Sequence, residues 1–419
     1  MIQDWFLDAK LGIFIHWGIY AVDGIAESWA FFNGTVSHEE YTRQLDGFTA
    51  ERWDPDAWAA LFARSGARYV VLTSKHHDGV ALWDTRASDL SVVKKTPAGR
   101  DLIRPYLDAL RRHGLRAGLY FSHLDWTHPD YASIGSDDPK ANPFAFRQGA
   151  TDPDGWGRFL EFHRAQLKEL CTEYGPIDLL WFDGDWERDA QTWHMAELRE
   201  QLHGWQPEVV LNSRMQGYGD YKTPEQGMPI VAPEGPWEFC MTINDSWGYQ
   251  GSDRRYKSPQ IVLQTFCETI GMGGNLLLDV GPMEDGTIPP EQVEVLEHLG
   301  RWIGRHAESV YGTRAGLPFG HFWGPSTLSQ DRSRLYLMIL GHPRGQVCLR
   351  GLKNAVTRAT ALGSGAEVGV RRLGGADWMQ VPGVLWLDVP PDALEPEITV
   401  LRLELEGPLD LYRGGGQGV

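Results

Sequence analysis

IDLLWFDGDW, residues 177–186, is a run of apolar side chains that stops abruptly in acidic ones. A continuous apolar run, rather than an alternating one, is the pattern of a parallel strand covered on both faces. Side chains two apart on a strand share a face, so Trp181 and Asp183 point together while Phe182 faces the opposite layer. Six other runs have the same texture: LGIFIHWG (11–18), ARYVVLTSKHH (67–77), LRAGLYFSH (115–123), EVVLNSR (208–214), EFCMTIN (238–244) and GNLLLDVG (274–281). Amphipathic stretches lie between them. DLIRPYLDALRRHG (101–114) carries Leu102, Ile103, Tyr106, Leu107 and Leu110 on one stripe and stops at Gly114, and 157–175 and 289–306 read the same way. Strand–helix alternation of this kind predicts an α/β fold with a (β/α)8-type, TIM-like barrel over residues 1–312. A doubly wound sheet would want a glycine-rich phosphate turn after an early strand, and HWGIYAVDG is not one.

Beyond residue 313 the texture changes to short strand-like runs, RLYLMILG, QVCLRGL, VLWLDV and TVLRLELEG, punctuated by Gly, Pro and Asp. This predicts an all-β sandwich over 313–412, followed by a flexible tail over 413–419. Two domains suit a chain of 419 residues, more than one core usually spans.

Composition narrows the function. With 42% apolar and 23% charged residues the chain is ordinary globular material. A net charge of −17 argues against a nucleic-acid partner and against an anionic membrane surface, both of which are held through Lys and Arg. Cys171, Cys240, Cys267 and Cys348 are far apart and form no C-x-x-C pair, so reduced thiols are expected. No apolar run approaches the ~20 residues of a membrane span. The stretch Leu11–Ile15 follows Asp4 and Asp8 and ends in His16-Trp17, unlike a secretion leader. A cytoplasmic protein is predicted, and assembly into a homo-oligomer is compatible with the sequence. Tryptophan, at 18, outnumbers both Phe (16) and Tyr (14), and much of it sits beside His, Asp or Glu. An aromatic face next to polar groups suits a sugar ring, although Trp serves equally as core filling.

In a barrel of this type the working residues lie at the C-terminal ends of strands. Those ends carry His16, His76-His77-Asp78, Asp183-Gly184-Asp185, Asn212 and Arg214. A carboxylate beside an indole, as in WFDGDW, suits attack on an electron-poor carbon; capping of the next helix or pairing with a Lys is the bland alternative. A glycosidase needs a second carboxyl group as acid and base. Glu225 in GDYKTPEQ and Glu238 in PWEFC are even candidates, with Asp220 and Glu234 read as turn or surface groups. Adjacent strand residues point to opposite faces, so His76 and His77 meet one ion only if the backbone turns there. No H-x-H opens the first strand and no H-E-x-x-H is found, so neither a catalytic metal nor any other cofactor is predicted. As neutral imidazoles the histidines suit sugar hydroxyls, and Arg214 offers a planar fork for two neighbouring oxygens or a carboxylate. Asn275 and Asp279 in GGNLLLDVGPMEDG reach towards the site or serve packing and the turn.

GIFIHWG, SKHHDG, WFDGDW, PWEFC…SWGY and GGNLLLDVGP, in that order, resemble the α-L-fucosidases of glycoside hydrolase family 29, over about residues 5–312. The resemblance implies a retaining exo-enzyme that releases terminal α-L-fucose from a fucosylated glycan or glycoside through a covalent fucosyl–enzyme intermediate. It implies that Asp183, the Asp of the W-x-D-G motif, is the nucleophile. DYKTPEQ matches the family's D-[FY]-x-T-x-E stretch, which favours Glu225 as general acid/base, with Glu238 of the W-E motif in second place. It carries sugar contacts onto His16, Trp29, His76, His77, Tyr120, Trp181, Arg214, Glu238 and Trp247. Relatives commonly read N-D-R where this chain has Asn212-Ser213-Arg214. Other readings of the same residues are a barrel glycosidase for another sugar, a catalytically silent carbohydrate-binding protein and, third, a metal-dependent hydrolase.

Overall fold

The computed structural model describes residues 2–131, 154–343 and 346–414. Seven parallel strands form one curled sheet: β1 (Leu11–Ile15), β2 (Tyr69–Lys75), β3 (Arg116–Ser122), β4 (Leu179–Asp183), β5 (Val210–Leu211), β6 (Glu238–Thr242) and β7 (Asn275–Val280), in the order β5-β4-β3-β2-β1-β7-β6. The strands are short and apolar because both faces are covered. Outside lie the helices Pro55–Arg64, Ile103–Arg112, Gly155–Glu173, Met195–Trp205, Pro259–Gly271 and Pro290–Val310. Local chemistry sets their starts: Asp54 accepts from the Asp56 and Ala57 amides ahead of Pro55, and Ser258 accepts from Ile261 ahead of Pro259. The stripe read on 101–114 is the buried face of Ile103–Arg112, where Tyr106 also donates to the carbonyls of Val70 and Gly118.

Two departures from a regular eightfold barrel bear on the site. The strand expected over 208–214 pairs with β4 only at Val210–Leu211. Beyond it the Asn212 side chain takes over the ladder, accepting from Phe182 N at 2.9 Å and donating to Phe182 O at 2.8 Å. The gap between β5 and β6 is then crossed by residues 221–226, which enter without an intervening helix among the described residues. This segment pairs with β6 through Glu238 N to Lys222 O (2.9 Å), Cys240 N to Pro224 O (3.1 Å) and Gln226 N to Cys240 O (3.0 Å). It acts as an eighth rung and carries Glu225 to the mouth.

Alternation along the strands fills the interior with Phe14, Tyr69, Val71, Tyr120, Leu179, Trp181, Val210, Cys240 and Leu277. Phe6, from the N-terminal helix Asp4–Ala9, plugs the lower end against Tyr69 and Tyr221. The full burial of such a ring contributes about 1.5–3 kcal/mol.

The C-terminal region pairs a five-stranded antiparallel sheet with a three-stranded one. Along Arg334–Leu340, Leu335, Leu337 and Ile339 pack into the core between the two sheets, whereas Tyr336 and Met338 join the barrel's helical layer. Trp302 Nε1 donates to Ile398 O at 3.0 Å across that contact. Of the predicted tail, residues 415–419 lie outside the described residues. No helix among the described residues is long and apolar enough to cross a membrane.

Candidate active site

The C-terminal ends of β1 to β4 and the 221–226 rung converge on Asp183. Its place on β4 puts it on the inward face with Trp181, and Phe182 turns out to the helices. Three donors hold its carboxylate: Tyr120 Oη to Oδ2 at 3.0 Å, the Gly184 amide to Oδ1 at 2.9 Å, and Arg214 Nη1 to Oδ1 at 3.2 Å. Gly184 has φ +79, and a Cβ there would lie 2.3 Å from Leu124 Cγ, so the sharp turn after the carboxylate requires glycine. Burial is the largest influence on Asp183 and pushes its pKa up to about 6; Arg214 opposes the rise and Glu225 adds to it.

Arg214 reaches a second carboxylate with the other arm of its fork, Nη2 to Glu225 Oε2 at 2.7 Å. The guanidinium lies 5.6 Å over Trp181, whose ring stacks on Tyr120 at 5.7 Å. Ser213 bonds Thr223 Oγ1 at 3.0 Å and so ties the Arg214 turn to the Glu225 rung. The Arg214 carbonyl is held in turn by His123 Nε2 at 3.1 Å.

The histidines form one wall. The chain leaves strand geometry at Lys75, where the β2–β3 register shifts, so His76 and His77 do not diverge: their ring centroids are 4.2 Å apart. Ser122 donates to Leu124 O at 2.8 Å, so it must accept from His77 Nδ1 at 2.6 Å. That fixes the tautomer and leaves His77 Nε2 as a lone pair 3.7 Å from Asp183 Oδ2, with no hydrogen-bond partner among the described residues. His76 Nδ1 meets Ser28 Oγ at 2.5 Å, and His16 Nδ1 meets Asp279 Oδ1 at 2.7 Å. Burial, then neighbouring cations or imidazoles, holds all three histidines well below their ordinary pKa, so the wall is neutral. Burial likewise raises the Asp279 carboxyl. No group of three or more His, Cys, Asp or Glu able to hold a metal exists among the described residues.

Glu238 takes a different place. It is fully buried beneath the pocket, where its carboxyl accepts from Tyr69 Oη (2.5 Å), Trp181 Nε1 (3.0 Å) and Tyr221 Oη (3.3 Å). Burial raises it to about 7. Glu225, by contrast, leaves 38% of its side chain exposed at the mouth. Trp247 packs on His16 at 5.0 Å and on Phe14 at 6.0 Å, and Trp29 stands edge-on to His77 at 5.5 Å. Asn275 turns to the lower end, bridging Lys10 N and Phe6 O.

Ser28, Ser122, His123 and the extended pairing of residues 221–226 were not read from the sequence. Ser122 was findable, because it lies two residues past Tyr120 on the same strand face. Ser28 and His123 meet their partners only in three dimensions.

The arrangement offers a half-buried carboxylate with three donors, a second carboxylate on the same guanidinium, and neutral hydrogen-bonding rings beside indoles. The family described as alpha-L-fucosidase matches residues 1–308. Tissue alpha-L-fucosidase of Macaca fascicularis is 31% identical over 392 residues, 86% of this chain and 79% of its own. The alpha-L-fucosidase of Dictyostelium discoideum is 29% identical over 98% of this chain and 90% of its own. Among solved structures, alpha-L-fucosidase isoenzyme 1 from Paenibacillus thiaminolyticus superposes with a TM-score of 0.87 at 36% identity, covering 96% of this chain and 98% of that one. A GH29 alpha-L-fucosidase from Bacteroides thetaiotaomicron, trapped as a covalent intermediate with 2-fluoro-fucosyl fluoride in a Glu-to-Gln mutant, gives 0.84 at 27% identity, with 96% of each chain covered.

Proposed function

The chain belongs to the alpha-L-fucosidase family, and on that footing we propose that Asp183 is the nucleophile and Glu225 the general acid/base of its reaction. The protein is a retaining exo-glycosidase that hydrolyses terminal α-L-fucosides by double displacement through a covalent fucosyl–enzyme intermediate. Fucosylated compounds are therefore its substrates.

In the first step Asp183 attacks the anomeric carbon, the bond to the leaving oxygen breaks, and protonated Glu225 gives that oxygen its proton. In the second, water attacks the same carbon, Glu225 takes the water's proton, and the Asp183 carboxylate departs. Two inversions leave the configuration unchanged, which calls for carboxyl groups ~5–5.5 Å apart rather than the ~6.5–9.5 Å of an inverting pair. The observation that carries these roles is the single Arg214 fork holding both carboxylates, 3.2 Å to one and 2.7 Å to the other. A nucleophile that titrates at about 6 is largely ionised at neutral pH. The Glu-to-Gln mutant in which a relative's intermediate was trapped supports a glutamate in the second role.

His16, His76 and His77 face the sugar hydroxyls in this reading, and Tyr120, Trp181 and Trp29 line its rings. Trp247 with Phe14 takes the C6 methyl, a preference of about 1–3 kcal/mol. Most discrimination therefore falls to the histidines and Arg214. Glu238 acts from beneath, by fixing Trp181. Residues 1–312 carry the chemistry and 313–412 brace the helix Pro290–Val310. Four unpaired cysteines support a reducing, cytoplasmic setting, and the net charge of −17 supports a partner list without nucleic acid or membrane.

The test is the first anomer released. Proton NMR of aryl α-L-fucoside hydrolysis should show the α-anomer first in wild type and no turnover in Asp183→Ala. Near-normal activity in that variant would remove Asp183 from the role.

A further inference from the structure

The hold of His123 on the Arg214 carbonyl is the inner end of a longer chain that the roles above leave unused. His163 and Arg164 sit side by side on the helix Gly155–Glu173, outside the barrel wall, and His123 follows β3. Both imidazoles are fully buried and Arg164 is half-buried. Arg164 Nη1 lies 2.8 Å from His163 Nδ1. A guanidinium can only donate, so Nδ1 accepts and the His163 proton sits on Nε2. That N–H faces His123 Nδ1 at 3.1 Å, which accepts in its turn, and the His123 proton is left on Nε2, 3.1 Å from the Arg214 carbonyl. The chain therefore runs one way, from Arg164 through two rings to Arg214. Burial, then the Arg164 charge, pushes His123 down to about 3 and holds His163 well below its ordinary pKa, so both rings are neutral. Both ends of the chain are anchored. Arg164 Nη2 donates to Trp193 O at 2.6 Å. The His123 ring stacks on Phe182 at 4.6 Å with 7° between planes, and its amide donates to Asp183 O at 2.8 Å. One residue thus grips the backbone of both Asp183 and Arg214. Arg214 needs such a hold, because β5 ends at Leu211 and leaves it on a turn.

We propose that Arg164 and His163 are positioning residues of the reaction: by fixing the tautomer of His123 they hold the Arg214 turn, and with it the guanidinium that reaches Asp183 and Glu225. The proposal rests on the fucosidase reading and adds a support built outside the pocket, on a helix that lends no side chain to the sugar contacts named above. Direction is what the chain supplies. A His123 ring with its proton on Nδ1 would turn a lone pair towards the Arg214 carbonyl, and a buried acceptor facing an acceptor is costly. Arg164, which has no acceptor to offer, excludes that arrangement from the far end.

The test is a double-mutant cycle against Arg214. Steady-state kcat and KM on an aryl α-L-fucoside are measured for wild type, His163→Phe, His163→Gln, Arg164→Met and Arg214→Ala, and for His163→Phe and Arg164→Met each combined with Arg214→Ala. His163→Phe keeps a ring in place and breaks the chain, and should lose about tenfold in kcat/KM, the scale of a small misplacement of a reacting group. His163→Gln, whose amide can still donate to His123, should recover most of that loss. In the Arg214→Ala background His163→Phe should cost no more than about twofold, because the effect passes through the guanidinium. Arg164→Met breaks the chain at its outer end and should show the same non-additivity, which keeps the test open if His163→Phe does not fold. A loss that persists undiminished in the Arg214→Ala background, or full activity in both His163→Phe and Arg164→Met, would overturn the positioning role while leaving the fucosidase reading intact. Wild-type protein that does not turn over the aryl fucoside overturns that reading and the role with it.

Discussion

Arg214 donates from Nη2 to Oε2 of Glu225 at 2.7 Å while its other arm holds Asp183. A planar fork is pre-shaped for two carboxylates and cannot be replaced by a point charge. It is the cation that counters the burial of Asp183.

Removing it should therefore shift a titration as well as a rate. In the free enzyme Asp183 must be ionised, so the acidic limb of kcat/KM is expected near pH 6 in wild type. Arg214 lowers the Asp183 pKa, so Arg214→Ala should move that limb to higher pH and cost about 10²-fold in kcat/KM. Arg214→Lys should recover part of the shift and little of the rate. A pH–rate profile of unchanged midpoint in Arg214→Ala would separate Arg214 from Asp183.

Glu225 and Glu238 are told apart by the leaving group. Glu225→Ala should slow a fucoside with a poor leaving group far more than dinitrophenyl fucoside, by about 10²-fold or more. Azide should restore turnover with the α configuration kept. The same dependence in a Glu238 variant would transfer the role to Glu238.

For Glu238 itself the expectation concerns stability. Burial raises its pKa to about 7 from an ordinary 4.5, so the folded state holds the proton more tightly than the unfolded one. The cost of the buried charge is present in full above pH 7 and is lost as the pH falls towards 4.5. Glu238→Gln should thus stabilise the fold at pH 8, on the order of 1–3 kcal/mol, and by much less at pH 4.5. Urea unfolding at the two pH values measures this. Equal destabilisation at both would mean that the Tyr69, Trp181 and Tyr221 donors need the carboxylate.

Gly184 offers a backbone test. With φ +79 and Leu124 Cγ 2.3 Å from the site of a Cβ, Gly184→Ala should cost about 1–3 kcal/mol of stability. It should also lower kcat, because the same amide positions Asp183 Oδ1. Thermal unfolding together with kcat reads both, and an unchanged kcat would show that the amide contact is dispensable.

Much of this site was legible in the sequence because strand periodicity is local. Trp181 and Asp183 inward with Phe182 outward follows from spacing alone, and so does the buried stripe on Ile103–Arg112. His76 and His77 did not follow, since a register shift at the end of β2 overrides alternation. The 221–226 rung was hidden too, because its pairing with β6 depends on where Asn212 ends β5. Spacing alone left Glu225 and Glu238 even, and the family motif favoured Glu225. The setting of Glu238 is set by Tyr69, Trp181 and Tyr221, three donors that only the closed barrel brings together.

The most direct measurement is peptide mapping after reaction with 2-deoxy-2-fluoro-fucosyl fluoride, whose fluorine slows release of the intermediate. Mass spectrometry should find one 2-fluorofucosyl group esterified to Asp183 and none in Asp183→Ala. A label on Glu225, Glu238 or any other carboxylate, or turnover without a covalent adduct, would contradict the assignment.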